Sequence, residues 1–452
     1  MRTSPRILTL ALSLSLGLTL VAPSTAQAGV AIARNPGDPA YVTTLRTGGL
    51  GHTWTGTHAI SFTNLDAAAL STIYLRTWSN GVLGCGAHSI TVSSMVGGTV
   101  VDDTALDCTE IEVTLDTPLA QGDRTTLSMD LEIDVPARND RFGYHRGLAL
   151  MGTALPTLEV HDDQGWHHDP FIDLGESFYS IVGDYHVTLN TPETLDTPTS
   201  GVIESNTSPV PGRRETTYVA EDVRDFAWAA GRLRRVVGSS GDTRVVVSYQ
   251  DDVISASTAR TALRNAERSL DTFSAQFGTF PYPQMDVVLA AFTTFGGMEY
   301  PTIIFTNPDR FTVSHELAHQ YWYGIVGDNE FAEPWLDESF ASWSQYLPFG
   351  AWSNCQSYRF HLPGDAITND MAYWNAHPQS YGAIYNGGGC LLANLAHRFG
   401  TTRFVNILER YAADHWLGVT RTTDFQARIE AAAAKHLPGL DMDAYWAAWR
   451  VT

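Results

Sequence analysis

Hydrophobic and polar residues alternate one by one through much of the first half of the chain. The clearest example is residues 127–135, and residues 111–115 repeat it. A strand with one buried face produces this period of two, because successive side chains point to opposite sides of a sheet. Similar short segments, separated by Gly, Asn, Asp and Pro, lie near Ile60, Ile73 and Val187. The pattern predicts an all-β, sandwich-like domain over residues 29–235, with residues 192–212 as a long surface loop.

The second half of the chain has a mixed pattern. Residues 244–249 and 285–292 are apolar enough for buried strands. Between them, one face of a helix over residues 259–277 is apolar through Leu263, Ala266, Leu270, Phe273 and Phe277. After Tyr346, most segments have helical spacing. We therefore predict a second domain over residues 236–452, in which a small sheet is followed by helices.

The most informative segment is His315-Glu316-Leu317-Ala318-His319, which is followed after eighteen residues by Glu338. Apolar residues Val313, Leu317 and Tyr321 have helical spacing around it, so we expect a helix capped by Thr312 or Ser314. A second helix should begin near residues 333–334, where a proline suits the first turn.

This spacing predicts a catalytic zinc site. Residues four apart share one face of a helix, so His315 and His319 can ligate one ion, with Glu338 as the third ligand. Glu316 lies beside them and can accept a proton as general base. Three protein ligands leave the fourth tetrahedral position open, and no cysteine lies near to close it. We expect one zinc ion (Zn²⁺) per chain.

A second motif precedes the helix: Gly296-Gly297-Met298-Glu299-Tyr300. With the zinc motif, it resembles the membrane-alanyl-aminopeptidase family of zinc metallopeptidases, which are gluzincins. The resemblance implies that Gly296, Gly297 and Met298 form an edge strand that binds peptide, and that Glu299 binds the free amino terminus. Tyr300 departs from the family pattern, which has Asn there. The implied partners are peptide substrates with a free N-terminus.

A third motif, Tyr385-Asn386-Gly387-Gly388, resembles the family segment whose tyrosine stabilises the oxyanion. The resemblance gives this role to Tyr385, while Tyr381 and Tyr373 are nearby competitors. Gly387 stands where the family has a basic residue. Residues 226–231 and 445–449 also resemble family segments. The implied fold is an α+β multidomain protein with a thermolysin-like, mixed α/β and mainly helical catalytic domain, without the helical C-terminal domain of long members.

The first 28 residues have the features of a secretion signal. Arg2 and Arg6 precede the apolar residues 7–21, and Ala26-Gln27-Ala28 is a small-x-small cleavage pattern. We expect cleavage after Ala28 and an exported protein without a transmembrane segment. The four cysteines suit an oxidising compartment and allow three pairings. Proximity within each domain favours Cys85–Cys108 and Cys355–Cys390.

The chain is strongly acidic, with a formal net charge of −21 at pH 7. Residues 1–28 hold two arginines and no acid, so their removal would bring the net charge to −23. This charge argues against nucleic acids or anionic membranes as partners.

Two rival functions stay open: a zinc endopeptidase with an open cleft, and a non-catalytic peptide-binding homologue. His167 and His168 are interpreted as polar surface, and Glu176 is not assigned to the site.

Overall fold

A computed structural model describes residues 34–351 and 355–451. The predicted signal segment and its cleavage after Ala28 lie outside the described residues. Within the two described ranges, the helices are all too short or too polar to cross a bilayer.

The N-terminal half is a β-sandwich, which confirms the predicted α+β arrangement with an all-β first domain. One layer is a seven-stranded sheet, in which β1 and β13 are parallel and the other neighbours antiparallel. In spatial order its strands are β14 (Val202–Thr207), β15 (Arg213–Val223), β13 (Gly183–Pro192), β1 (Gly37–Thr47), β2 (Thr53–Thr63), β7 (Arg124–Asp134) and β4 (Ile90–Val96).

A four-stranded sheet shares its hydrophobic core with the seven-stranded sheet. Its strands are β10 (Thr157–Leu158), β3 (Leu70–Arg76), β6 (Glu110–Leu119) and β5 (Gly98–Asp102). Two small sheets complete the half: β16 (Trp228–Gly231), β9 (Leu148–Met151) and β8 (Phe142–His145); and β11 (His161–Asp162) with β12 (Gly165–Trp166). In β7 every second residue from Leu127 to Ile133 is buried, as the alternation predicts.

The prediction of a loop throughout residues 192–212 is wrong. This segment contains β14, which pairs with β15 at the edge of the large sheet. Five of its six residues are exposed, so the strand has no buried face and leaves no hydrophobic period in the sequence.

The second half begins with a five-stranded sheet of β17 (Arg234–Ser240), β18 (Thr243–Tyr249), β19 (Gln284–Leu289), β21 (Ile303–Thr306) and β20 (Gly297–Met298). The three central strands are parallel, and the two outer strands run antiparallel to them. Helix α2 (Ala256–Phe277) connects β18 to β19 and buries the predicted apolar face. The division between residues 235 and 236 stays a prediction.

Helices follow the sheet. They are α3 (Arg310–Ala318), α4 (Trp335–Ser344), α5 (Met371–Ala376), α6 (Gly388–Phe399), α7 (Thr401–Asp414), α8 (Thr422–His436) and α9 (Met442–Trp449). A single turn, α1 (Ala105–Cys108), lies in the first half. Short 3₁₀ segments span Trp78–Val82, Gly84–Gly86, Leu347–Phe349 and Pro378–Ser380, and a π-helical turn spans Ala383–Gly387.

The predicted cap of α3 is wrong. Asp309 caps the helix, because its carboxylate accepts the amides of Phe311 and Thr312. The helix therefore begins a few residues earlier than Thr312 or Ser314 would allow. Both disulfides form with the predicted pairing. Cys355–Cys390 ties the segment after α4 to α6, immediately beyond Tyr385.

Candidate active site

Helices α3 and α4 bring three potential metal ligands together at the floor of a cavity of about 240 Å³. The Nε2 atom of His315 is 3.1 Å from Nε2 of His319 and 3.1 Å from Oε2 of Glu338. The third separation, from His319 Nε2 to the same Glu338 oxygen, is 3.5 Å. The helical spacing predicted from the sequence thus places all three ligating atoms in one small triangle.

This triangle fits a zinc ion. Zinc–ligand distances of roughly 2.0–2.2 Å put the ligand atoms of a tetrahedral site about 3.3–3.6 Å apart. His319 is also oriented for ligation, because its Nδ1 is 3.1 Å from the Trp322 carbonyl and donates to it. That hydrogen bond leaves the lone pair of Nε2 directed into the triangle.

Glu316 lies in the same cavity and packs against the backbone of β20. A Cβ on Gly297 would lie 2.5–2.6 Å from the Glu316 side chain, so only glycine leaves room for it there. Gly296 also lines the cavity, whereas Met298 is buried in a hydrophobic cluster. Among the residues that the structure describes, β20 is the outermost strand of its sheet, so one of its edges has no strand partner.

Glu299 follows β20 and is 3 % exposed. Its carboxylate lies within 4.8 Å of a ring nitrogen of His319. The Gln320 side chain holds the backbone here, since its amide donates to the carbonyls of Glu299 and Tyr300. Its oxygen accepts the amide of Thr302 at 2.8 Å. The end of α3 therefore orients the motif that precedes it.

Tyr300, the departure from the family pattern, turns away from the cavity. Its side chain is 1 % exposed, and its hydroxyl fills the space where a Cβ of Gly152 would be. The aromatic ring thus joins the second half of the molecule to the β-sandwich.

Tyr385 lies in the π-helical turn before α6 and lines the cavity. Its hydroxyl donates to Oε1 of Glu338 at 2.6 Å, so it lies beside the ligand triangle. Gly387, the other departure, faces the ring of Tyr358, which a Cβ would approach to 3.0–3.1 Å. Tyr373 is directed elsewhere, because its hydroxyl donates to Asp365 at 2.9 Å.

Two residues of the β-sandwich half complete the cavity wall and are missing from the sequence prediction. Arg141 and Glu176 form an ion pair of 2.6 Å, and both line the cavity. Glu176 lies in the segment Gly175-Glu176-Ser177-Phe178, which resembles a structural motif of the family and is not assigned to the site from the sequence, whereas no motif or periodicity identifies Arg141. His167, in contrast, is not simple polar surface. Its side chain is largely buried, with Nε2 2.9 Å from Asp162.

Burial and crowded carboxylates govern the electrostatics of the cavity. Burial raises the pKa of Glu299 to about 8, and burial together with Glu299 raises the pKa of Glu316 well above its usual range. Burial alone would lower the pKa of His319, but Glu299 and Glu338 outweigh it and raise this pKa to about 10. Burial opposes ionisation of Glu338, yet hydrogen bonds with His315 and His319 hold its pKa well below the ordinary value. The cavity thus favours positive charge, which a bound cation supplies in place of protons.

Comparisons with known proteins agree with this geometry. Residues 261–449 match the peptidase family M1 domain. Aminopeptidase M1-B of Oryza sativa subsp. japonica is 26% identical over 294 residues, which are 56% of this chain and 33% of that protein. Aminopeptidase N of Acetobacter pasteurianus is 26% identical over 198 residues, 40% of this chain and 53% of that protein. The chain therefore spans about a third of the rice relative and about half of the bacterial one.

The fold is also that of solved structures. The M1 zinc metallopeptidase of Deinococcus radiodurans has a TM-score of 0.67 at 18% identity, covering 93% of this chain and 95% of that one. A mutant of it bound to a Tyr-Ser-Ala substrate has a TM-score of 0.62 at 17% identity, covering 91% and 93%. The ligand triangle therefore lies within a segment that matches the peptidase family M1 domain, and the fold around it is that of solved M1 zinc metallopeptidases.

Proposed function

We propose that this chain is a secreted aminopeptidase that removes residues from the free N-terminus of peptides. The observation that carries the proposal is the position of Glu299. Its buried carboxylate lies within 4.8 Å of a ring nitrogen of the ligand His319. When Glu299 binds the N-terminal ammonium group of a peptide, the first peptide bond lies beside the metal ligands. The site therefore selects the bond next to the free N-terminus.

The charges of the cavity support the same substrate. Four carboxylates and one guanidinium line it: Glu176, Glu299, Glu316, Glu338 and Arg141. If all are ionised, they leave three negative charges in excess. A divalent zinc reduces the excess to one, which a substrate ammonium matches. Because unpaired buried charge is costly, this balance favours a substrate with one positive charge at its terminus.

His315, His319 and Glu338 would hold the zinc, which when bound polarises a carbonyl group and makes water more acidic. Glu316 accepts a proton from the attacking water and passes it to the nitrogen of the leaving amine. The Tyr385 hydroxyl donates to the carbonyl oxygen as negative charge develops on it. The free edge of β20 at Gly297 can pair with the peptide backbone, as peptides do at other open sheet edges.

The test compares matched peptides with free and N-acetylated termini, with and without a chelator. We expect hydrolysis of free L-aminoacyl substrates, loss of activity with chelator, and no cleavage of the acetylated peptides. Cleavage of both peptides at equal rates would favour an endopeptidase. Peptide binding without any turnover by the zinc-loaded protein would favour a binding homologue.

Glu299→Gln sharpens this test. The amide has nearly the same shape but no charge, so kcat/KM for free peptides should fall by roughly 10²-fold, in line with the loss of a buried charge pair. Glu193→Gln, in the β-sandwich half, is the matched control.

Export and signal cleavage are part of the proposal. The pattern of residues 1–28 supports it, and so do the two disulfides, which persist in oxidising compartments. Mass spectrometry of the exported protein should find Gly29 at its N-terminus. A mature protein that begins at Met1 would contradict this part alone.

A further inference from the structure

Tyr381 lies four residues before Tyr385 and touches it. The two hydroxyl oxygens are 3.3 Å apart, and the rings meet edge to face with centroids 5.5 Å apart. Tyr385 has one hydroxyl proton, which it donates to Oε1 of Glu338. Because a phenol has a single donor, Tyr381 must donate in the contact between the two hydroxyls.

The β-sandwich half determines where the Tyr381 hydroxyl can lie. A Cβ on Gly175 would overlap this hydroxyl, and would also lie 3.0 Å from the end of the Met371 side chain. Gly175 directly precedes Glu176, so one loop both supplies a carboxylate to the cavity and leaves space for the Tyr381 hydroxyl. The position of that hydroxyl is thus a feature of the packing between the two halves.

Tyr381 contacts Tyr385 but does not itself line the cavity, whose lining among the described residues includes Tyr385. A substrate carbonyl in the cavity therefore meets the Tyr385 hydroxyl and not that of Tyr381. This arrangement separates the two tyrosines that compete in the sequence.

We propose that Tyr381 is a positioning residue for Tyr385, an inference that rests on the proposed aminopeptidase function. Its hydrogen bond holds the Tyr385 oxygen beside the metal ligands while the Tyr385 proton turns from Glu338 to the substrate carbonyl oxygen. As negative charge builds on that substrate oxygen, the Tyr385 oxygen becomes richer in electrons, and the donor at Tyr381 stabilises it. No proton leaves Tyr381, and no covalent bond forms or breaks there.

A double-mutant cycle tests the inference. We would measure kcat and KM on L-leucine 4-nitroanilide for the zinc-loaded wild type, Tyr381→Phe, Tyr385→Phe and the double variant. Loss of one neutral hydrogen bond that strengthens in the transition state should lower kcat about ten-fold and change KM less than two-fold. In the Tyr385→Phe background, the same substitution should change kcat less than two-fold, because the oxygen it serves is gone.

Tyr373→Phe is the matched control. It removes a hydroxyl that bonds Asp365 in the same part of the chain, and it should leave kcat within about two-fold of the wild type. Calorimetric binding of an α-aminophosphinic dipeptide analogue, whose tetrahedral oxygen resembles the oxyanion, gives a second readout. Tyr381→Phe should weaken this binding about ten-fold and leave binding of L-leucine unchanged.

The outcomes separate the two claims. An unchanged kcat in Tyr381→Phe, or an equal loss in both backgrounds, would overturn the positioning role and leave the aminopeptidase proposal intact. Absence of turnover in the zinc-loaded wild type would reject the aminopeptidase proposal itself, and this inference with it.

Discussion

The molecule buries two groups of charged side chains, one within the β-sandwich half and one around the cavity, and the two groups are composed differently. In the β-sandwich half, Arg76 is completely buried, 2.7 Å from Glu159 and 3.7 Å from Glu110. The guanidinium also lies over the Trp78 ring, 3.6 Å from its centroid. Glu110 has a second partner in His168, at 2.8 Å. Each buried carboxylate of this group therefore has a basic partner within the protein.

The cavity, which residues of both halves line, lacks this internal matching. Its four carboxylates share one guanidinium, that of Arg141, and the remaining basic groups are the imidazoles of the ligand triangle. A buried charge that has a partner inside the protein is already compensated. An excess of buried charge of one sign instead favours ligands of the opposite sign. The contrast distinguishes a structural cluster from a site that binds cations. Each prediction below concerns one of these two groups or compares them.

The largest expected effect is on catalysis. Glu316→Gln removes the proposed base and should lower kcat by about 10²–10⁴-fold, the usual contribution of a positioned general base. The ligand triangle is unaltered, so zinc content should stay at one per chain. Thermal stability should not fall, because one of several crowded carboxylates is removed. Steady-state kinetics, metal analysis and calorimetry measure the three quantities.

Glu409→Gln, on the exposed face of α7, is the control for Glu316→Gln. Activity of Glu316→Gln within ten-fold of the wild type would show that another group acts as the base.

The next prediction concerns the buried cluster of Arg76, Glu159 and Glu110. Arg76→Met leaves Glu159 buried without its cation, which should cost about 3–5 kcal/mol of unfolding free energy. Arg76→Met with Glu159→Gln should recover part of this loss, because the stranded carboxylate is gone. Denaturant unfolding measures both, and kcat of the folded fraction should be unchanged. Arg264→Met, on an exposed position of α2, is the control; a loss below about 1 kcal/mol for Arg76→Met would contradict the interpretation.

The zinc site could be predicted from the sequence because its determinants are local. His315 and His319 are one helical turn apart, and the helix alone places both rings on one face. The roles of Glu299 and Tyr385 could be predicted only from motif resemblance, since no periodicity distinguishes these residues. The alternating strands of the sandwich could also be predicted, because their period of two is likewise a local pattern.

The parts that sequence reasoning missed depend on packing between distant segments. Arg141 and Glu176 are 35 residues apart and reach the cavity only because the sandwich packs against the second half. Strand β14 has no buried face, so its pairing with β15 defines it and hydrophobic spacing does not. The cap at Asp309 went unrecognised because Thr312 and Ser314 are equally good capping residues by type.

Zinc binding at the cavity should stabilise the folded protein, independently of the buried Arg76 cluster. Free zinc at 100 times its Kd should add about 2.7 kcal/mol to the unfolding free energy if the ion binds only the folded chain. The gain should be the same in the Arg76→Met variant, because the two clusters are separate, and it should vanish in His319→Ala. Chelator titrations followed by calorimetry measure it. A gain that persists in His319→Ala would place the metal elsewhere.

The smallest expected effect concerns two buried histidines whose pKa values are shifted in opposite directions. The carboxylates around His319 raise its pKa, whereas burial lowers the pKa of His58, on strand β2, from 6.5 to about 4. The hydrogen bonds of His58 fit the neutral ring: Nε2 donates to the Pro156 carbonyl at 2.9 Å, and Nδ1 accepts from Thr43 at 2.8 Å. Between the two pKa values the unfolded chain binds more protons than the folded one, so His58 lowers stability as pH falls below 6.5.

His58→Gln keeps one donor and one acceptor but does not titrate, so it isolates this effect from other buried groups. The difference in unfolding free energy between wild type and His58→Gln should move against the wild type by about 2 kcal/mol from pH 7.5 to pH 5. Denaturant unfolding at both pH values measures it, and His145→Gln, at an exposed position, is the control. A difference independent of pH would mean that His58 accepts a proton in the folded protein as easily as in the unfolded chain. The sandwich would then tolerate a buried charge without a matching partner, and the contrast with the cation-binding cavity would no longer hold.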